Sequence, residues 1–219
     1  AKRAVLASGA IERGIAFAGN DLPGVMLGSG VRSYLNRFGV APGARAVVFT
    51  ASDDGWATAR DLAASGIAVA AVVDPRTEGI EKQGAGPWPV FSGAVVKEAR
   101  GGHQLRSVIV RDDKGVETEI ACDLLAVSNG WNPTLHLTCH LGGKPVWQEA
   151  LAAFVPGSKP KDLAVAGAAA GHLSLAEALE DGARLGAEAA SDLGFAASVP
   201  AIPPVGGELS AGAAPLWWV

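Results

Sequence analysis

The chain of 219 residues carries 18 Lys+Arg against 22 Asp+Glu, and 42 Ala with 29 Gly supply almost a third of it. With 49% hydrophobic and only 18% charged residues it is not an intrinsically disordered polypeptide, and a net charge of −4 speaks against a nucleic-acid surface. Two cysteines, Cys122 and Cys139, make neither a disulfide framework nor a four-ligand zinc site, and no run approaches the roughly 18 apolar residues that cross a bilayer.

The first β-like run is Ala4–Ser8, ending at Gly9. Turn residues Asn20-Asp21-Leu22-Pro23-Gly24 follow, then Val25–Phe38, whose Val31, Leu35 and Phe38 have helical spacing before Gly39. Pro42-Gly43 is a turn ahead of Arg45–Thr50, a buried strand. Loop Ala51–Gly55, helix Trp56–Ser65 and strand Ile67–Val73 complete a βαβ unit of a parallel sheet. From Pro87 the texture becomes short β pieces: Trp88–Ser92, Ala94–Ala99, Leu105–Arg111 and Glu117–Ile120. Hairpin connections at Gly101-Gly102 and Asp112–Gly115 predict an antiparallel meander. Asp123–Ser128 is a further buried strand, Ala152–Val155 a short one, and Leu163–Ala166 leads into Gly167–Gly171. A long helix over about 174–192 follows, with a small-residue face. Beyond Gly194 the chain is Pro/Gly-rich, as linkers are. With no initiator Met, no secretory signal pattern, and Trp217-Trp218 at its end, the chain is expected to be a cytoplasmic segment of a longer polypeptide.

A phosphate-binding turn needs glycines so that backbone can approach a pyrophosphate at a helix start. The turn of the βαβ unit instead reads Thr50-Ala51-Ser52-Asp53-Asp54-Gly55, whose two carboxylates repel a diphosphate and suit helix capping. Asp74, about 20 residues on, stands where a ribose-binding acid belongs. The unit therefore reads as a degenerate nucleotide-binding fold. Gly28-Ser29-Gly30 lacks a third glycine and follows a poor strand at Gly24–Leu27, so it reads as close helix packing.

Three short apolar strands end in a small residue and Gly: Ala7-Ser8-Gly9-Ala10, Ser128-Asn129-Gly130-Trp131 and Ala166-Gly167-Ala168. In this order, with a βαβ unit between the first two, they resemble the two-domain FAD/NAD disulfide-reductase fold. The expected class is α/β: a Rossmann-like inserted domain with a parallel sheet and an antiparallel meander, plus part of a second FAD/NAD(P)-binding-like domain. The expected layout is residues 1–40 in the outer nucleotide domain, 41–160 in the inserted one, 161–194 back in the outer one, and 195–219 as linker toward a further domain. Ala168 stands where such flavoproteins carry an Asp on the ribityl chain, so NAD is preferred to FAD and the chain should be colourless.

A closer resemblance rests on Ala7–Arg13, Asn20–Leu27, Arg32–Gly43, Gly130–Pro133 and Ala214–Val219. These stretches are similar to the α subunits of heterotetrameric sarcosine oxidases, over essentially the whole chain. That resemblance implies oxidative demethylation of sarcosine to glycine, a folate-bound or free one-carbon unit and hydrogen peroxide. It implies a noncovalent NAD site in the α subunit, FAD and FMN on or beside a partner subunit, and β, γ and δ subunits as partners. The cofactor-facing residues it marks are Ala7, Ser8, Gly9, Ala10, Gly167, Ala168, Ala169, Gly171 and His172. No catalytic residue falls on this chain.

Other residues offer less. His136 and His140, four apart around Cys139, lack a third metal ligand nearby, and no metal site is expected. Ser8 and Ser128 have no His at a triad-like spacing. Glu12-Arg13 is either a local pair or a nucleotide contact. Two other functions stay open: a subunit of an opine- or proline-type dye-linked dehydrogenase, and a non-catalytic assembly domain whose nucleotide sites have decayed.

Overall fold

The structure is a computed structural model and describes residues 2–80, 86–158, 160–206 and 212–219. In chain order its elements are β1 Ala4–Leu6, β2 Ala10–Glu12, β3 Val25–Leu27, α1 Gly28–Arg32, β4 Arg45–Thr50, α2 Asp53–Ala64, β5 Ala68–Asp74, β6 Val90–Ser92, β7 Val95–Gly101, β8 Leu105–Arg111, β9 Glu117–Ala121, β10 Leu124–Ser128, β11 Trp131–Pro133, α3 His136–His140, β12 Lys144–Gln148, β13 Ala153–Ser158, β14 Leu163–Val165 and α4 Leu175–Asp192. They form two compact units: one from residues 1–11 with 131–211, the other from 12–130 with 212–219. The second unit takes in β3, which joins its sheet beside β10.

That second unit is built on a parallel sheet in the order β3-β10-β4-β5-β6. Its central strands β10, β4 and β5 carry unbroken apolar runs because both faces are covered. On one face Ala46, Val48, Leu124 and Ala126 meet Trp56, Ala59 and Leu62 of α2 and Val31 of α1. On the other, Val47, Phe49, Leu125 and Val127 meet Val96, Val108 and Val110 of the antiparallel sheet β7-β8-β9. Phe17 stacks edge-on against Phe49, centroids 5.9 Å apart. The expected three-layer arrangement of helices, parallel sheet and meander is therefore present.

Several expectations need correction. Val25–Phe38 is not one helix: Val25–Leu27 is a strand, followed by α1 and a π-helical turn over Ser33–Arg37. Gly24 decides this, with φ +106° and only 2.7 Å between an added Cβ and the Asp123 carbonyl oxygen, so only glycine lets β3 lie beside β10. Val90–Ser92 is not part of the meander but pairs in parallel with Val72–Asp74, extending the main sheet. Helix α2 begins at Asp53, with Ser52 as its N-cap, so Asp53 and Asp54 lie in its first turn and not at the cap.

In the first unit β1 pairs in parallel with β14, Leu6 opposite Val165, and the Ala166 N–H donates to the Leu6 carbonyl at 2.9 Å. Of the β12–β13 hairpin and the single-turn helix α3, only a short strand at Ala152–Val155 was expected, and it overlaps β13. Helix α4 opens with a capping box: Ser174 accepts from the Glu177 N–H while Glu177 reaches back to the Ser174 N–H. Among the described residues no helix is long and apolar enough to cross a membrane.

Candidate functional site

In open parallel arrangements ligands bind beyond the carboxyl ends of the strands. In the first unit β1 and β14 end at the same edge, so Ala7–Ala10 and Gly167–His172 both leave the sheet there. The side chains there are small. Ala7 and Ser8 are exposed, Gly9 has φ +71° with open space where a Cβ would project, and Ser8 Oγ donates to the Thr134 carbonyl at 3.0 Å. Residues 167–170 make a 3₁₀ turn closed by Gly171 at φ +93°, whose added Cβ would meet Val155 at 2.7 Å. Only glycine permits that turn.

Asp181, which sequence reasoning missed, organises this edge. Its buried carboxylate accepts from the Gly167 N–H at 2.9 Å, pairs with His172 Nδ1 at 2.6 Å, and accepts from Arg184 at 2.8 Å. Burial pushes its pKa up, but the hydrogen bonds from His172, Gly167 and Arg184 outweigh that and hold it below the usual carboxylate value. The available signal was periodic: Asp181 shares the helix face of Ala178 and Leu185. A cleft of about 520 Å³ opens beside it, between His172, Glu177 and Arg184 and the stretch Val199–Ile202. His172 is half-exposed on its rim.

The edge of the second unit is closed by its own side chains. Asp74 is fully buried and accepts from Trp56 Nε1 at 2.9 Å and from Arg76 at 2.7 Å. Arg76 also reaches Asp53 at 2.7 Å. Burial works against the Arg76 charge, but Asp74 and Asp53 together raise its pKa. The acid in the ribose position is thus already partnered. Thr50 Oγ1 donates to the Ser128 carbonyl at 2.9 Å, Ser52 Oγ lies 3.2 Å from Ser128 Oγ, and Ser128 Oγ donates to Glu12 at 2.7 Å. Glu12 also accepts from the Ser29 N–H at 2.7 Å, and burial, opposed by these bonds, raises its pKa. Arg13 donates to the Asn129 carbonyl at 2.9 Å and lies over Trp217. Glu12 and Arg13 therefore each serve the interior of the second unit.

His136 and His140 bracket the five-residue helix α3, and Cys139 is exposed beside an apolar recess with Asn132 and Leu135. Among the described residues no group of three or more His, Cys, Asp or Glu is arranged to hold a metal ion.

This architecture, a parallel sheet between helices and an antiparallel meander, is a Rossmann-like fold. The chain superposes on L-proline dehydrogenase from P. horikoshii with a TM-score of 0.67 and 24% identity, over 90% of this chain and 36% of that one. On T. acidophilum thioredoxin reductase the TM-score is 0.68 at 18% identity, over 88% and 66%. No family model matches. The curated relatives are more specific. The chain is 41% identical over 219 residues to "Sarcosine oxidase subunit alpha" of Rhizobium meliloti (strain 1021), covering 99% of this chain. It is 42% identical over 233 residues to the protein of the same name from Corynebacterium sp. (strain P-1). Over its length, then, the chain is similar to one segment of the sarcosine oxidase α subunit. It spans 22% and 24% of the lengths of those two relatives.

Proposed function

We propose that the chain is part of the α subunit of a sarcosine-oxidase-type complex and that its first unit contributes to a noncovalent NAD site. The observation that carries this is identity of 39–42% to three sarcosine oxidase α subunits over nearly the whole chain. In this reading Ala7, Ser8, Gly9 and Ala10, with Gly167, Ala168, Ala169, Gly171 and His172, form one wall of the site at the carboxyl edge of β1 and β14. The edge fits a dinucleotide in kind: its small residues let backbone come close, and Gly9 leaves open space. Ala168 offers no carboxylate to a ribityl chain, which favours NAD over FAD there. The Gly167 amide is already given to Asp181, so the 3₁₀ turn acts by its shape and His172 by its exposed ring. These residues would hold part of NAD by backbone approach, with NAD bound as a noncovalent dinucleotide. The oxidation of sarcosine to glycine, a one-carbon unit and hydrogen peroxide belongs to FAD and FMN on the partner side. The β, γ and δ subunits complete the assembly in the cytoplasm.

The domain layout proposed is an outer nucleotide domain, represented by the first unit, and an inserted domain, represented by the second. The closed edge of the second unit favours an assembly role for it. The test is the nucleotide released by acid denaturation of the intact complex. Close to one NAD per α subunit is expected, and His172→Ala should weaken its retention about tenfold, the scale of one lost polar contact. Absence of NAD, or flavin bound to isolated α subunit, overturns the assignment.

A further inference from the structure

The strand order β3-β10-β4-β5-β6 reverses direction of growth between β10 and β4. In such sheets the crevice outside the carboxyl ends of those two strands is the ligand position. Here it is filled by the chain itself. Residues Ser52 and Ala213 form an antiparallel bridge: the Asp53 N–H donates to the Gly212 carbonyl at 3.0 Å and the Ala214 N–H to the Ala51 carbonyl at 2.8 Å. The Asp53 amide, in the first turn of α2, is one of those that a pyrophosphate would use. On the β10 side Gly130 has φ +77°, and an added Cβ would stand 3.0 Å from the Ala213 Cβ and 2.8 Å from Arg13. Arg76 extends one nitrogen toward the Gly212 carbonyl while holding Asp53 and Asp74.

The segment then continues as a strap. Asn129 Nδ2 donates to the Leu216 carbonyl, the Ala16 N–H donates to the Trp217 carbonyl at 2.8 Å, and the Val219 N–H to the Ala16 carbonyl at 3.0 Å. Leu216 and Val219 pack on the core under the meander face, with Ile15, Phe17 and Phe49 among its members. Side-chain burial and backbone pairing thus hold the same eight residues at both ends.

We infer that the dinucleotide crevice of the second unit is a peptide-binding site occupied by the chain's own Gly212–Val219, and that nucleotide is excluded from it. The remaining charges agree. Asp53 and Asp74 pair with Arg76 at the turn, so this cation is already taken by carboxylates and is not left for a diphosphate. The segment instead presents neutral carbonyl and amide groups, which pair with the turn one for one.

The bridge supplies the test. Non-hydrogen-bonded antiparallel partners lie about 4.5 Å apart at Cα, within disulfide range. In the full-length complex, S52C/A213C should therefore form a 52–213 disulfide on mild oxidation, and the locked complex should retain the same nucleotide content as wild type. In unmodified complex, amides 53, 214 and 219 should exchange on the order of 100-fold or more slower than free chain, with no change when NAD is saturating. Exchange of 212–219 at free-chain rates overturns the strap, whether or not the double variant folds. Loss of nucleotide on locking, or NAD-dependent protection of 50–56, overturns the exclusion. A complex without any NAD but with a protected segment sinks the NAD assignment of the first unit and leaves the strap standing.

Discussion

The two sheet edges of this chain begin from similar material and end in different states. In the first unit a strand runs into Gly167–Gly171 and a long helix; in the second, β4 runs into Thr50–Gly55 and α2. In the first, one buried acid on the helix, Asp181, ties down a single amide and a half-exposed His172; Ala7 and Ser8 stay exposed, while Gly167 and Ala169 are buried. In the second, Asp53, Asp74, Arg76 and Trp56 satisfy one another, and Gly212–Ala214 takes the turn backbone. The lesson is that a Rossmann-like turn is not defined by its fold. What decides its use is whether its donors are left to a ligand or consumed by the chain.

The comparison breaks most readily at Arg76. Arg76→Ala leaves Asp53 and Asp74 buried without their cation, and a loss of about 3–5 kcal/mol in urea unfolding of the second unit is expected. A loss below about 1 kcal/mol would mean that the closed edge does not depend on this cluster. Next in size is Asp181→Asn, which weakens three interactions at the open edge and should cost about 1–3 kcal/mol. The carboxyl of Asp181 is held below its usual 3.8, so its contribution is present above that pH and is lost as pH falls through the lowered value. The Asn variant should lose this part of the acid-induced destabilisation, as read by unfolding midpoints below pH 4.

Ser174→Ala removes the capping box of α4 and should lower stability by about 1 kcal/mol, confined to the first unit in hydrogen exchange. Glu12→Gln tests the opposite sign in the second unit. Because burial raises the Glu12 pKa above 4.5, its contribution is present below 4.5 and lost as pH rises through the higher folded value. The variant keeps a carbonyl acceptor for the Ser29 N–H and offers its NH2 to the Ser128 hydroxyl, so it should be the more stable protein at pH 7, the advantage fading toward pH 4.5 in thermal melts. Last, thiol titration of native chain should modify Cys139 alone; Cys122 is buried, with its pKa pushed up to about 12, and should react only on unfolding. Fast modification of both would show that the core beneath the meander opens readily.

Much of the second unit was legible from residues alone. Ala46–Phe49 and Leu124–Val127 are unbroken apolar runs, the pattern of strands buried on both faces, and both strands are present, the second starting one residue later than read. Turn chemistry located the meander hairpins equally well. The edge strands Val25–Leu27 and Val90–Ser92 were misassigned because three residues carry no period, and only their sheet neighbours choose between helix, meander and parallel strand. Strand β12 was missed altogether, for its Lys144-Pro145-Val146-Trp147-Gln148 lacks a clean alternation. At the candidate site, the glycines that need positive φ were visible, while Asp181 and Arg76 were not. A carboxylate or guanidinium carries no sequence mark of whether it faces water or an amide far along the chain.

The sequence by itself determined the class: apolar strands punctuated by small-residue turns, with acid in place of glycine at Asp53-Asp54, specify a nucleotide-type fold with one degraded turn. The tertiary structure alone decided what occupies that turn. Gly212–Val219 lies about 160 residues from the turn it closes, and such pairing depends on the packing of Leu216 and Val219, which no local pattern encodes.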